Sequence, residues 1–158
     1  RADERGSFAR SFCAEEFAAH GIDPAIVQEN VSVTAARGTL RGLHLQLGDA
    51  AEGKHVRCTR GRVYDVLVDL RPDSPTHRGW VGLELAGDAG TFLYAPPGLA
   101  HGFVTLTDDV VVEYRMTKPY VAEAASGVRW DDPAFGITWP LTPTAMSERD
   151  ATWPDHRT

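Results

Sequence analysis

The sequence predicts an all-β fold, a barrel or sandwich of short strands with a few short helices. Apolar and polar residues alternate over many short segments, as they do in strands that bury one face. Clusters of Gly, Pro and Asp separate these segments, and helical spacing is evident in a segment near the N-terminus. At 158 residues the chain is expected to form one domain, residues 1–158, with a buried core.

The individual elements follow from these patterns in order along the chain. Residues 13–20 have helical spacing, and Gly21 and Pro24 are typical of the end of a helix. Strands are predicted at residues 27–33, 40–46, 55–59, 63–69, 80–85, 91–94, 103–106 and 110–116. Arg60-Gly61 predicts a hairpin and Asp108-Asp109 a turn. After Lys118 the pattern indicates coil, with a short terminal segment at 147–150.

Composition excludes several classes of function. A net charge of −6 and a pI near 5.4 argue against binding to a nucleic-acid backbone. No apolar run approaches the ~20 residues of a membrane span, and no signal peptide opens the chain. Cys13 and Cys58 are not in a Cys-x-x-Cys pair, so we expect reduced thiols in a cytoplasmic protein. A disulfide would require the fold to bring the two together.

Two histidine-containing segments are the main candidates for chemistry. His44 and Gln46 lie two apart on a predicted strand, so they share a face beside the small Gly42. A polar pair on that face favours a polar cavity over a solid apolar core, although a hydrogen-bonded core histidine is the ordinary alternative. The second segment, residues 96–103, contains His101.

Other candidates surround these segments. Lys54 opens a strand, where it is either exposed or paired within the fold. Tyr114 shares a face with apolar residues and is by default a core aromatic, while Tyr120 follows in a loop that could reach the same cavity. Arg5 and Arg41 suit bidentate contact with phosphate, or simple surface ion pairs.

These motifs resemble those of the cupin barrels. Gly90, Pro96, Gly98 and His101 follow the second cupin signature, with Thr105 where an Asn is expected. The first signature usually carries two histidines as metal ligands, and Gln46 replaces the second of them. The resemblance therefore implies a jelly-roll barrel with a weakened metal site.

More specifically, the chain resembles the dTDP-4-dehydrorhamnose 3,5-epimerase family, the metal-free cupins that epimerise nucleoside-diphosphate 4-keto-6-deoxy sugars. The resemblance extends from residues 3–6 to residues 147–150, nearly the whole chain. The matching pieces between them are residues 28–32, 40–46, 53–54, 60–66, 69–71, 74–76, 97–103 and 127–133.

The resemblance implies a role for each residue that the chemistry needs. Epimerisation beside a ketone requires a base, an acid on the other face and a cation that holds the enolate. By resemblance His44 is the base, Asp150 its orienting carboxylate, Lys54 the enolate stabiliser and Tyr114 the acid. The implied substrate-binding residues are Arg5, Gln28, Asn30, Arg41, Gln46, His101 and Tyr120.

The resemblance also implies a cofactor-independent enzyme that needs no metal and forms a homodimer by exchange of N-terminal strands. Inversion at C3, at C5 or at both would use the same residues. Ser7 and Arg10 replace residues where the family holds the nucleotide base, so base preference stays open, as does the pathway. His55 replaces a usual aliphatic residue beside Lys54. The alternatives are a sugar-nucleotide ketoisomerase, a metal-binding cupin oxygenase and a non-catalytic sugar-binding barrel.

Overall fold

The computed structural model describes residues 1–156, and strands dominate its regular structure. The strands are β1 (Ala2–Asp3), β2 (Gly6–Ser7), β3 (Gln28–Thr34), β4 (Leu40–Gln46), β5 (Lys54–Arg60), β6 (Arg62–Asp69), β7 (Trp80–Ala86), β8 (Leu93–Ala95), β9 (Leu99–Thr105), β10 (Val110–Met116) and β11 (Ala125–Gly127). The α-helices are α1 (Ala14–Ala19) and α2 (Glu148–Ala151). The prediction of an all-β fold with a few short helices is confirmed.

Two antiparallel sheets form the barrel. One has four strands in the order β3-β10-β5-β8, and the other has five in the order β11-β4-β9-β6-β7. Strands far apart in the sequence pair within each sheet, such as β4 with β9 and β3 with β10. This is the jelly-roll arrangement, in which the inward faces of the two sheets enclose a shared interior.

Most predicted elements lie where the sequence placed them. The prediction of a hairpin at Arg60-Gly61 was wrong, because β5 and β6 pair in different sheets. Gly61, at a φ of 74° that favours glycine, instead carries the chain from one sheet to the other. The predicted strand at 103–106 instead begins at Leu99, so His101 lies within a strand. The prediction of coil after Lys118 was wrong at β11, which pairs with β4 at the edge of its sheet.

The barrel interior is apolar at one end and polar at the other. On β5, Val56 and Cys58 are buried in the apolar end, whereas Lys54 points from the same face into the polar end. The apolar cluster consists of Val56, Cys58, Val63, Leu85, Phe103, Val110 and Val112. The packed apolar end holds the strands of the barrel in fixed positions. The polar end forms the cavity described below.

A second core lies outside the five-stranded sheet. Leu43 and Leu45 on β4 point there, and Val128 and Phe135 of the C-terminal coil cover them. Alternation along β4 thus sends the leucines to this core and the polar His44 to the barrel interior.

Neither cysteine of the chain is in a disulfide. Cys13 and Cys58 carry free thiols, and burial raises the pKa of Cys58. Among residues 1–156, no helix has the length and apolar character that crossing a bilayer requires.

Candidate active site

The polar end of the barrel contains a cavity of about 650 Å³. Both sheets and the C-terminal helix α2 contribute to its walls. Nine residues predicted from the sequence line it: Asn30, Arg41, His44, Gln46, Lys54, His101, Tyr114, Tyr120 and Asp150. All four proposed catalytic residues are therefore brought to one place.

His44 and Asp150 form a hydrogen-bonded pair at this cavity. The His44 Nε2 and Asp150 Oδ1 atoms are 2.6 Å apart. The second carboxylate oxygen, Oδ2, accepts a hydrogen bond from the backbone N–H of Gly42 at 3.3 Å. Burial raises the pKa of Asp150, but the hydrogen bonds from His44 and Gly42 outweigh it and hold that pKa below its usual range. Asp150 is thus a carboxylate suited to hold one tautomer of His44 and to stabilise its imidazolium.

A short helix fixes the position of Asp150. Ser147 caps α2 by accepting a hydrogen bond from the Asp150 backbone N–H at 3.1 Å. Trp153, just beyond the helix, meets the His44 ring edge-on, with centroids 6.5 Å apart. The C-terminal segment therefore closes one side of the base.

A break in the β4–β9 ladder explains how Arg41 and His44 reach the same cavity. The register shifts between these two residues, so residues three apart point to one side. Gly42 lies at this shift, and a Cβ there would be 2.8 Å from the His101 carbonyl oxygen. Glycine is thus required for close approach of two backbones rather than to leave space beside His44.

Lys54 is a largely buried cation in the cavity wall. Its Nζ donates a hydrogen bond to the backbone carbonyl of His44 at 2.8 Å and lies 3.0 Å from Glu52 Oε1. The side chains of Lys54 and Glu52 are only 12% and 3% exposed. A buried ammonium held by fixed partners is a preorganised hydrogen-bond donor for an oxyanion.

Tyr114 reaches the cavity from the opposite sheet. It lies on β10 of the four-stranded sheet, whereas His44 lies on β4 of the five-stranded sheet. Burial raises the pKa of the Tyr114 phenol, so it stays protonated at neutral pH and can act as an acid. The base and the acid therefore face the cavity from opposite walls.

His101 packs beside Tyr114 and forms a second histidine–carboxylate pair. The two rings are 6.2 Å apart, edge to face. His101 Nε2 donates to the carboxylate of Asp65 at 3.0 Å, and both side chains are buried. Burial raises the pKa of Asp65, against the opposing effect of His101. This pair gives the cavity floor a polar group of fixed orientation.

Two arginines stand at the mouth of the cavity. Arg41 donates from Nε to Thr34 Oγ1 at 3.1 Å, and Arg149 lies over the Trp153 ring at 4.9 Å. Neither arginine is in an ion pair among the described residues, so both guanidinium groups are available to an anion. Arg149 was not predicted from the sequence, although it directly precedes Asp150.

Gln28 and Gln46 hold the loop that carries Tyr120. Gln28 accepts from the Tyr120 backbone N–H at 2.9 Å and is not in the cavity wall. Gln46 donates to the carbonyls of Ala50 and Pro119 and accepts from the Val121 N–H. With its amide engaged in this way, Gln46 shapes the cavity through the loop. Tyr120 itself is 52% exposed at the mouth.

Arg5 lies outside the cavity of its own chain. Its side chain is 85% exposed and pairs with Asp3 at 2.5 Å. Arg5 thus does not line the cavity, and its contact with substrate stays a prediction.

The described residues, 1–156, contain no group of three or more His, Cys, Asp or Glu side chains arranged to hold a metal ion. The amide of Gln46 occupies the position of the second histidine of the first cupin signature and bonds to backbone instead.

Known proteins resemble this chain in both sequence and fold. A sequence profile of the dTDP-4-dehydrorhamnose 3,5-epimerase family matches residues 1–157. A dTDP-4-dehydrorhamnose 3,5-epimerase of Sinorhizobium fredii is 48% identical over 153 residues, which cover 96% of this chain and 78% of the relative. This chain belongs to that family.

Solved structures of family members share the fold over nearly the whole chain. A Bacillus anthracis dTDP-4-dehydrorhamnose 3,5-epimerase with TDP and PPi bound has a TM-score of 0.94 at 40% identity, covering 98% of this chain and 89% of that one. ChmJ, a 3'-monoepimerase from Streptomyces bikiniensis in complex with dTDP-quinovose, has a TM-score of 0.89 at 34% identity, covering 98% and 79%. The fold thus accommodates members described as 3,5-epimerases and as a monoepimerase.

Two buried carboxylates of this family member were missed in the sequence. Asp65 lies on the same face of the aliphatic strand β6 as the buried Val63. Because a charged residue is rarely buried without a partner, its position could have indicated a site residue. Glu52 lies two residues before Lys54, but it precedes the strand, so alternation did not reveal it. Each proves to be the partner of a predicted site residue.

Proposed function

We propose that this chain epimerises a nucleoside-diphosphate 4-keto-6-deoxy sugar, with dTDP-4-keto-6-deoxyglucose as its substrate, at C3, C5 or both. The observation that carries the proposal is the placement of His44 and Tyr114 on opposing sheets, with the Lys54 ammonium in the wall of the same cavity. Family membership supports the substrate class.

The proposed reaction begins at the histidine. His44, neutral and held by Asp150, removes the proton from the carbon beside the C4 ketone. The electron pair moves onto the carbonyl oxygen, and Lys54 stabilises the resulting enolate. Tyr114 then gives a proton to the opposite face of the same carbon, which inverts its configuration. The diphosphate binds Arg41 and Arg149 at the mouth, which leaves the sugar at the inner end.

The experiment that tests this function is proton NMR of dTDP-4-keto-6-deoxyglucose with the protein in D2O. We expect deuterium to enter at C3, C5 or both, with formation of the epimer, and the pattern of labelling gives the regiochemistry. The His44→Ala variant should lose this exchange. A folded wild-type protein that exchanges neither proton, with dTDP or with other nucleotide carriers, would refute the proposal.

We also propose that the chain acts as a homodimer in which Arg5 contributes to the partner's cavity. The support is the exposed position of Arg5, together with exposed apolar side chains. One of these is close to Arg5 in the sequence, and two others lie on an edge strand. Phe8 is 76% exposed, and Val31 and Val33 on edge strand β3 are 60% and 63% exposed. A second copy would cover such residues and bring in a cation for the diphosphate.

Mixing two inactive variants tests this arrangement. Arg5→Ala lacks the proposed diphosphate contact, and His44→Ala lacks the base. If the sites are shared, the mixed dimer has one complete site, and an equal mixture recovers roughly a quarter of wild-type activity. Sedimentation at equilibrium gives the oligomeric state in parallel. A monomer, or a mixture without recovered activity, contradicts the shared site.

A further inference from the structure

Three nitrogen-bearing side chains of the cavity each face a buried carboxylate. These pairs are His44 with Asp150, His101 with Asp65, and Lys54 with Glu52. The third pair joins an ammonium to a carboxylate at 3.0 Å, and the reaction as described above gives Glu52 no part. A carboxylate that is 3% exposed beside a reacting group calls for a physical reason, since burying charge is costly.

Both oxygens of Glu52 have partners. Oε1 lies 3.0 Å from Lys54 Nζ, and Oε2 accepts the backbone N–H of Gln46 at 3.2 Å. Gln46 belongs to β4, the strand of His44, so Glu52 joins the lysine of one sheet to the strand of the base in the other. The carboxylate is thus held rigidly, with no freedom to rotate away from the ammonium.

The geometry of the ammonium group shows what this rigidity achieves. A lysine ammonium has three N–H donors around one nitrogen. One is directed to Glu52 and a second to the His44 carbonyl at 2.8 Å. Two fixed acceptors determine the rotation of the group, so the third N–H has a defined direction. Since Lys54 lines the cavity, the third N–H is the one available to a substrate oxygen.

We propose that Glu52 is a positioning residue that orients the Lys54 ammonium toward the C4 oxygen of the sugar. The proposal rests on the enolate-stabilising role proposed for Lys54. Glu52 also neutralises the ammonium when no enolate is present, so the anionic diphosphate is drawn to Arg41 and Arg149 at the mouth rather than to the inner end. The enolate, which forms next to the third N–H, still gains a preorganised hydrogen bond.

The Glu52→Gln variant separates charge and orientation from packing. Glutamine has the same shape, and its oxygen can still accept the Gln46 N–H. We expect kcat to fall on the order of tenfold to a hundredfold, the usual cost of a displaced catalytic group. KM should change less than about threefold, because the diphosphate contacts are untouched. Glu84→Gln, an exposed glutamate paired with Arg62, is the matched control.

Comparison with Lys54→Met tests whether Glu52 acts through the lysine. We expect Lys54→Met to lower kcat at least as much as Glu52→Gln, and the double variant to be no slower than Lys54→Met alone. If Glu52→Gln lowers the kcat of the Lys54→Met enzyme by the same factor as it lowers that of the wild type, Glu52 does not act through the lysine and the positioning role is wrong. Lys54→Met at the wild-type rate would refute the role of the lysine itself. A slow Lys54→Met beside a wild-type Glu52→Gln would refute the positioning role alone.

A second variant keeps the test decisive if Glu52→Gln folds poorly. Glu52→Asp retains the negative charge and moves it back by one methylene group. If charge beside the ammonium is what matters, Glu52→Asp is faster than Glu52→Gln at equal folded fraction, with circular dichroism giving that fraction. An aspartate variant no faster than the glutamine variant overturns the proposal.

Discussion

His44 Nε2 and Asp150 Oδ1 lie 2.6 Å apart although 106 residues separate them in the chain. The pair forms because β4, the second strand of the five-stranded sheet, supplies the histidine, while the capped helix α2 brings the C-terminal segment back beside it. Asp150 is buried, whereas the His44 side chain is 41% exposed to the cavity. The carboxylate is therefore fixed, and the imidazole is open to substrate and to solvent.

Removal of the negative charge of Asp150 should make His44 a poor base while leaving the histidine itself in place. Asp150→Asn keeps the shape and an oxygen for the Gly42 N–H, but it cannot stabilise the imidazolium. We expect kcat to fall by about 10²- to 10⁴-fold, with dTDP affinity unchanged. Steady-state kinetics and titration calorimetry measure the two quantities.

A matched control is Asp132→Asn, a buried aspartate outside the cavity that accepts backbone N–H groups of Ala134 and His156. Its kcat should stay at the wild-type value. Wild-type turnover by Asp150→Asn would show that His44 works without its carboxylate.

Removal of the Tyr114 hydroxyl should separate proton removal from inversion. In Tyr114→Phe, His44 still forms the enolate, but no acid serves the opposite face. Because the His44 side chain is 41% exposed, its proton can exchange with solvent and return to the original face. We expect deuterium in recovered substrate and little epimer, as measured by NMR in D2O.

The matched control for that variant is Tyr64→Phe. Tyr64 packs against Trp139, with ring centroids 6.3 Å apart, and does not line the cavity. It should epimerise normally. Inversion by Tyr114→Phe at the wild-type rate would assign the acid to another group.

Most strands could be predicted because alternation and turn residues are local signals. β11 could not, since Ala125–Gly127 is short, lacks alternation and exists only through its pairing with the distant β4. The family resemblance predicted four catalytic residues, and the fold brings all of them to one cavity: His44, Lys54, Tyr114 and Asp150. The loop-anchoring role of Gln46 depends on contacts with backbone groups up to 75 residues away, which no local pattern encodes.

The buried His55 should make stability fall at mildly acidic pH. His55 is 3% exposed, stacks on Phe17 of α1 at 5.0 Å and donates from Nε2 to the Asp23 carbonyl. Burial lowers its pKa, and the nearby Arg115 charge lowers it further, while Asp23 opposes them. The unfolded chain therefore binds a proton that the folded chain does not as pH falls below about 6.5.

The free energy of unfolding should thus decrease as pH falls from about 6.5 toward the lowered pKa, and it should show no contribution from His55 above that range. Urea denaturation at a series of pH values measures it. In His55→Leu the slope over this range should be smaller, whatever the overall stability. An unchanged slope would assign the effect to another group.

Exchange of donors for acceptors at Gln46 should loosen the loop that carries Tyr120. Gln46→Glu keeps the size of the side chain but replaces the amide NH₂, which donates to the Ala50 and Pro119 carbonyls, with a carboxylate oxygen. Two carbonyls would then face a negative charge in a site that is 4% exposed. We expect a loss of about 1–3 kcal/mol in the free energy of unfolding, measured by urea denaturation.

The same change should weaken the cavity wall. The Gln46 oxygen accepts the Val121 N–H, and the glutamate can still do so, so the loop remains attached at one point. Limited proteolysis should therefore cut near Tyr120 faster than in wild type, and added dTDP should slow that cleavage. Gln28→Glu, which keeps the acceptor for the Tyr120 N–H, is the control and should be cut at the wild-type rate. Equal cleavage of Gln46→Glu and wild type would mean that the amide donors do not hold the loop.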